Sequence, residues 1–197
     1  MVVLNRSEEK RMSRCEEKKQ NAINKTVELC SQYGFHGTSM DKITAATGLS
    51  KATIYKYFLS KENLIAQALD AYGKSAIEHL TEVMNDDSLS LEEKLSERFE
   101  TLRQSLAVDA FNGCYFQLAY SEFCNAEENI TDICTLYKQR RVSMVCNLLE
   151  THNVENAQEK AVRAELIFNG LIATLQISKD PTLIDIARDM YMDVINR

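Results

Sequence analysis

The stretch from Gly48 to Phe58, GLSKATIYKYF, sets two kinds of residue side by side within one short helix. Ile54 and Phe58 are apolar and stand four apart, the spacing that places two side chains on one helical face. Lys51, Thr53, Tyr55, Lys56 and Tyr57 crowd the remaining turns. Gly48 is placed to stop a preceding helix, and Ser50 to cap the next. A short glycine-containing turn between two brief helices is the helix-turn-helix arrangement. In it, Leu49 seals a small core with Ile43, Ile54 and Phe58, and the other face of the second helix stays free. A helix of about eight residues fits the major groove of DNA with its first turn nearest the bases.

Charge supports a polyanion partner for this part of the chain alone. The net charge of −6 is unevenly spread. Residues 1–61 hold 11 Lys and Arg against 6 Asp and Glu, whereas residues 62–197 hold 12 against 23. A basic head on an acidic body is the pattern of a protein that meets nucleic acid at one end.

Outside this stretch the sequence predicts helices throughout. One proline and six glycines in 197 residues leave little material for the turns of a sheet protein. Residues 1–14 are polar and aperiodic and are expected to form a flexible arm. A helix follows from about Cys15 to Tyr33, with Ile23, Val27 and Cys30 on one face, and Gly34 ends it. T-S-M-D (38–41) reads as a capping box for the next helix, Ser60 as the cap of a helix from Lys61 to about Met84, and S-L-E-E (90–93) as a further capping box. Helices are then expected over CYFQLAYSEF (114–123), from Asn125 to about Glu150, from about Val154 to Ser178, and from Asp180 with Pro181 at the first position. The segments so predicted are the arm at 1–14, a three-helix head at 15–60 and a helical body at 61–197.

Residues 34–69, GFHGTSMDKITAATGLSKATIYKYFLSKENLIAQAL, resemble the DNA-binding signature of the tetracycline-repressor (TetR) family of bacterial regulators. The shared pattern is G-F-x-G-T-S-M, then I-x-x-A-x-G-x-S-K-x-T-x-Y-x-Y-F and S-K-E-x-L. The resemblance implies an all-α fold, with a three-helix helix-turn-helix head followed by a helical bundle. It makes residues 15–60 a DNA-binding domain and residues 61–197 an effector-binding and dimerisation domain. It implies DNA contacts at Thr38, Ser50, Lys51, Ala52, Thr53, Tyr55, Lys56, Tyr57 and Lys61, with Thr38 and Lys61 on phosphate and Lys56 in a variable base-reading position. Ala52 stands where the family often has glycine, Asn63 where it often has glutamate, and Cys30 where it often has phenylalanine.

The family also implies a homodimeric repressor of a palindromic site in double-stranded DNA, released by a small-molecule effector. The effector site is expected among Phe99, Tyr115, Phe116, Tyr120, Phe123 and Tyr137, for an apolar or aromatic ligand. The last two helices are apolar on more than one face. In the family these two helices build the dimer interface, which the resemblance places at Leu166, Ile167, Gly170, Leu171, Leu175, Met190, Tyr191 and Val194. The apolar pattern alone, to which Ile172 also belongs, leaves open helices buried within a monomer.

Other chemistry finds less support. Histidines 36, 79 and 152 fall in separate segments, and neither a metal-binding spacing nor a Gly-rich phosphate loop is present, so neither enzyme, metal nor cofactor is expected. The longest apolar segment, residues 164–177, is too short and too interrupted to cross a membrane, and a cytoplasmic protein is expected. Six cysteines without C-x-x-C spacing read mainly as small buried hydrophobes. The alternatives are a redox or electrophile sensor using Cys114, Cys124 and Cys134, and a helical interaction protein that does not use its head.

Overall fold

A computed structural model describes the backbone from Arg6 to Arg197 and the side chains from Arg14 onward. Among the described residues the chain forms helices α1 (Arg6–Tyr33), α2 (Met40–Thr47), α3 (Lys51–Phe58), α4 (Lys61–Met84), α5 (Leu91–Ala107), α6 (Tyr115–Phe123), α7 (Glu128–Thr151), α8 (Ala157–Ser178) and α9 (Thr182–Asn196), and no strand. The all-α expectation holds. The helices group into two units, one of residues up to Tyr72 with Leu118–Ile133, the other of Gly73–Gln117 with Cys134–Arg197. The division thus falls within α4 rather than at its start.

The first unit is built on a stripe of small residues. Ala22, Thr26 and Cys30, four apart on α1, are all buried, with Ile23 and Val27 only half-buried beside them. The Thr26 hydroxyl donates to the Ala22 carbonyl at 2.8 Å, which satisfies it inside its own helix. Ala22 packs with Ile43 of α2, Ile54 and Phe58 of α3, and Leu64 of α4, and Leu49 in the turn closes the cluster. Helix α1 starts nine residues before the expected Cys15. Residues 6–14 are mostly Glu, Lys, Arg and Met, good helix formers without an apolar face, so periodicity is silent there. The first five residues of the expected arm lie outside the described residues.

The helix caps shift several predicted boundaries. Helix α2 is capped by Ser39, whose hydroxyl accepts from the Lys42 N–H at 3.3 Å, and not by Thr38. Ser60 does cap α4, accepting from the Asn63 N–H at 2.9 Å. Ser90 and Glu93 form the full capping box of α5. Helix α8 begins at Ala157, later than Val154. At α9 the Asp180 carboxylate accepts from the Thr182 hydroxyl at 2.8 Å and from its N–H at 2.9 Å, which together lower the carboxyl pKa. Pro181 stands just before the helix rather than inside it.

The second unit fills its core from facing stripes. Leu95, Phe99 and Leu102 of α5 meet Val145 and Leu149 of α7, Ala161, Ala164, Phe168, Leu171 and Leu175 of α8, and Ile184, Ala187, Tyr191 and Ile195 of α9. Phe99 stands edge-on to both Phe168 (5.2 Å between centroids) and Tyr191 (5.4 Å). Leu171, Leu175 and Tyr191 therefore belong to the core of their own subunit, not to a surface shared with a partner. On a helix apolar all round, spacing cannot say which face meets the chain's own core.

Helix α3 ends under strain. Leu59 has φ +66°, in the left-handed region, and its side chain is 79% exposed. A β-carbon there costs about 1–3 kcal/mol, and the side chain buries little in return. Leu59→Gly is expected to raise the stability of the protein by about 1 kcal/mol after the entropy cost of glycine, seen as a higher thermal midpoint. A lower midpoint would show that the leucine side chain makes a contact that matters.

Candidate nucleic-acid interface

Helix α3 is positioned from both ends. Gly48 adopts φ +69° and returns its N–H to the Thr44 carbonyl at 2.9 Å, ending α2. Ser50 starts α3 two residues later, accepting from the Thr53 N–H at 3.1 Å and sharing a hydroxyl–hydroxyl bond of 2.9 Å with Thr53. Ile54 and Phe58 are then fully buried, and Lys51, Ala52, Tyr55 and Lys56 are exposed. The two kinds of residue in GLSKATIYKYF thus separate onto two faces.

The exposed side chains differ in how free they are. Lys51 is held 2.7 Å from Asp41 of α2, and that hydrogen bond raises its pKa. Tyr57 is half-buried, edge-on to Phe58, with the Lys19 ammonium 5.8 Å from its ring centre. A hydrogen bond with Cys15 raises the Tyr57 pKa. Lys61 sits in the first turn of α4, half-buried. Thr38 is fully buried: its hydroxyl donates to the Gly34 carbonyl at 2.7 Å and its N–H to Phe35. Thr38 builds the turn before α2, and both its donors are used there.

That turn has an anchor that sequence reading missed. Glu122, on α6, accepts from the Phe35 N–H at 3.1 Å and the His36 N–H at 2.5 Å. The His36 ring bonds the Glu122 carbonyl at 3.0 Å and lies 5.0 Å from the ring of Phe123, which also meets Phe35 edge-on at 6.0 Å. Lys42 braces the same turn, donating to the Gly37 carbonyl at 2.9 Å with its ammonium 3.8 Å from the Tyr33 ring centre. The partners lie 86 and 87 residues apart, and no local pattern points to such a pair.

The residues expected at the effector site are divided. Phe123 packs in the first unit against Phe35 and His36, and Tyr120 of the same unit is 47% exposed. In the second unit Phe116 stacks on Tyr137 with centroids 3.7 Å apart and planes 14° from parallel. A β-carbon on Gly73 would come 3.1 Å from the Phe116 ring, so glycine makes room for that stack. Tyr115 is half-buried beside it in the chain, and Phe99 lies in the core with Phe168 and Tyr191.

The cysteines show no shared arrangement. Cys30, Cys134 and Cys146 are buried, and burial followed by the nearby Glu150 carboxylate raises the Cys146 pKa, the opposite of thiol activation. Cys124 is exposed and Cys114 half-buried. Among the described residues no three His, Cys, Asp or Glu side chains are grouped to hold a metal ion, and no helix is long and apolar enough to cross a membrane.

Comparison with known proteins agrees with this geometry. Residues 22–68 match the model of a family described as bacterial regulatory proteins, tetR family. The chain is 18% identical over 177 residues to the HTH-type transcriptional regulator YjdC of Escherichia coli (strain K12), covering 90% of this chain and 93% of that protein. SCO4454, a TetR-family transcriptional regulator from Streptomyces coelicolor, superposes with a TM-score of 0.82 at 18% identity, over 92% of this chain and 95% of its own. A TetR transcriptional regulator from Legionella pneumophila gives 0.79 at 19% identity, over 99% and 100%. At these identities the structural likeness speaks for the fold, and the sequence match in the head speaks for the family. A helix-turn-helix head on a helical body defines a DNA-binding transcriptional regulator. Within that class, the head at residues 22–68 matches the tetR family of bacterial regulatory proteins.

If the Glu122 carboxylate holds the turn before α2, Glu122→Ala leaves two N–H groups unpaired. It is expected to cost about 1–3 kcal/mol of stability, read as a fall in the thermal midpoint. An unchanged midpoint would show that water replaces the carboxylate at no cost.

Proposed function

We propose that this regulator is a ligand-responsive repressor that binds a palindromic operator as a homodimer. The observation that carries the reading is the outer face of α3. It presents Ala52, Tyr55 and Lys56 to solvent beside the capped N-terminus at Ser50, with Lys61 opening the next helix. Lys56 can reach guanine acceptors, Tyr55 can meet a thymine methyl or a phosphate oxygen, and Lys61 suits phosphate. Ala52 leaves the backbone of the first turn close to the bases. The test is selection of DNA from a random pool with purified protein. A palindrome with half-sites one helical turn or a multiple apart, about 34–36 Å or more, is expected. Enrichment of nothing would favour an interaction protein that does not use its head.

Two half-sites require two heads, and α8 and α9 offer the surface. Val162, Leu166 and Gly170 follow one another at four-residue spacing on α8, the first 40% and the second 66% exposed. Ile177 continues the stripe, and Ile186 and Met190 on α9 are also exposed. A β-carbon on Gly170 would meet open space, so another helix can approach closely there. Ile167, Met190 and Val194 share a cleft of about 500 Å³ with the charged side chains of Glu159, Lys160, Arg163 and Asp193, so the apolar stripe is flanked there by charge. This revises the expected face, retaining Leu166, Ile167, Gly170, Met190 and Val194 and replacing its buried members with Val162, Ile177 and Ile186. An exposed apolar stripe of this length on a soluble protein is covered by a partner, and two-fold symmetry makes a second copy sufficient. Leu166→Glu is expected to give a folded monomer by sedimentation with unchanged helix content and much weaker operator binding. A dimer of wild-type strength would place the interface elsewhere.

The effector reading is supported by the interior of the second unit, where aromatic rings lie among buried polar groups. A ligand can release DNA only if it binds the released conformation better. Phe116 and Tyr137 are the aromatic residues that best suit such a ligand, since they are already stacked and lie within one unit.

A further inference from the structure

Two arginines of the second unit, Arg98 buried and Arg141 half-buried, keep buried N–H groups without an acceptor beside the buried carboxylate of Glu165. Arg98 of α5 is 8% exposed, and its Nη1 donates both to Glu165 of α8 and to the Tyr191 hydroxyl at 3.2 Å. Its Nε and Nη2 are buried with no acceptor. Arg141 of α7 repeats the pattern: Nη1 donates to the Tyr137 hydroxyl at 3.3 Å, and Nε and Nη2 are buried without a partner. Lys138, one turn earlier on α7, donates to Asn169 at 2.6 Å. Burial raises the Glu165 pKa, yet Arg98, Arg141 and Lys138 together hold it below the ordinary range. Three cations therefore act on one buried carboxylate.

Water can satisfy an N–H group, but it does not neutralise a charge taken out of solvent. One face of the Arg98 guanidinium is already covered. The Arg98 group lies 3.6 Å from the ring centre of Phe168 and 5.6 Å from that of Tyr191, and Arg141 is 5.8 Å from Phe168. What remains open is the edge, a row of N–H donors whose fork matches an oxyanion. Nearby, the stacked Phe116 and Tyr137 offer an apolar surface, and Tyr137 itself bonds Arg141.

We propose that the effector is an organic oxyanion, a carboxylate or phosphate ester on an apolar or aromatic body, received by the unpartnered guanidinium N–H groups of Arg98 and Arg141. This rests on the effector reading above and replaces its apolar ligand with a charged one. The ligand supplies the missing acceptors, so it stabilises the conformation that holds it. The free protein carries the unpaired donors at a cost in stability.

The test uses the full-length protein, three probes sharing one ring system (2-naphthoate, 2-naphthyl phosphate and the neutral 2-naphthamide) and the variant Arg141→Met. Thermal unfolding of the ligand-free proteins is expected to place Arg141→Met above wild type, because two buried N–H groups without acceptors are gone. At least one of the two anions is expected to raise the wild-type midpoint while the amide does not. Loss of charged hydrogen bonds should weaken that anion about ten- to a hundredfold in Arg141→Met. The anion that binds identifies the headgroup. If Arg141→Met does not fold, Arg141→Gln takes its place. A variant less stable than wild type, or a wild type indifferent to both anions, would overturn the proposal. Release of operator DNA by the amide but by neither anion would overturn the anionic class and leave the effector reading standing. An anion that binds without changing operator affinity would instead establish the anion site and sink the effector reading.

Discussion

The DNA-binding head depends on the burial of Ile54 and Phe58. A helix of eight residues does not persist alone in water, because nucleating its first turn costs more than so few hydrogen bonds return. Helix α3 therefore exists by virtue of what it packs on: Ala22 of α1, Ile43 of α2 and Leu64 of α4. Because those contacts take up one face completely, the identity of the outward residues is free to vary without cost to the fold. Ser50 and Gly48 fix where the helix begins, and the core fixes which way it is turned. The freely variable residues and the stabilising ones thus lie on opposite sides of the same two turns.

The body solves a different problem. Its core is lined by interlocking apolar stripes, yet Arg98 and Glu165 are buried in the middle of it. A hydrophobic pair of similar volume would often be as stable or more so, so such a pair is weak evidence of a stabilising role. Its partners share the cost. Tyr191 gives Arg98 a second acceptor, and Phe168 covers its face. The Tyr191 pKa is raised by burial, opposed by Arg98, and its hydroxyl stays neutral.

Much of the head was legible in the sequence because its signals are local. Gly48, Ser50, Ser60 and the pair Ile54 and Phe58 act within four residues of themselves, and each does what its spacing implied. Where two residues could do one job, the reading slipped by a position: Thr38 looked like the cap of α2, but Ser39 caps it and Thr38 turns inward. The start of α1 was hidden because charged helix formers leave no apolar period. On α8 and α9 the list of apolar residues was sound but their division between core and surface was not. Leu171, Leu175 and Tyr191 look like Leu166 and Met190 until packing separates them. The Glu122 anchor and the Arg98–Glu165 pair join residues 67 to 87 apart, and no single-chain pattern reports on such distances.

The contact between Lys51 and Asp41 bears on how the head meets a polyanion. A lysine that meets a DNA phosphate displaces a condensed cation from it, and the entropy of such released ions is much of what binds a protein to phosphate. Lys51 already carries a fixed counter-charge, 2.7 Å away on the neighbouring helix. To reach a phosphate or a base it must leave Asp41 or share itself with it, and Asp41 then stands as a negative group close to the duplex. Were Lys51 to contact DNA, the exposed Asp41 beside it would offset only a small part of the gain, the same on every sequence.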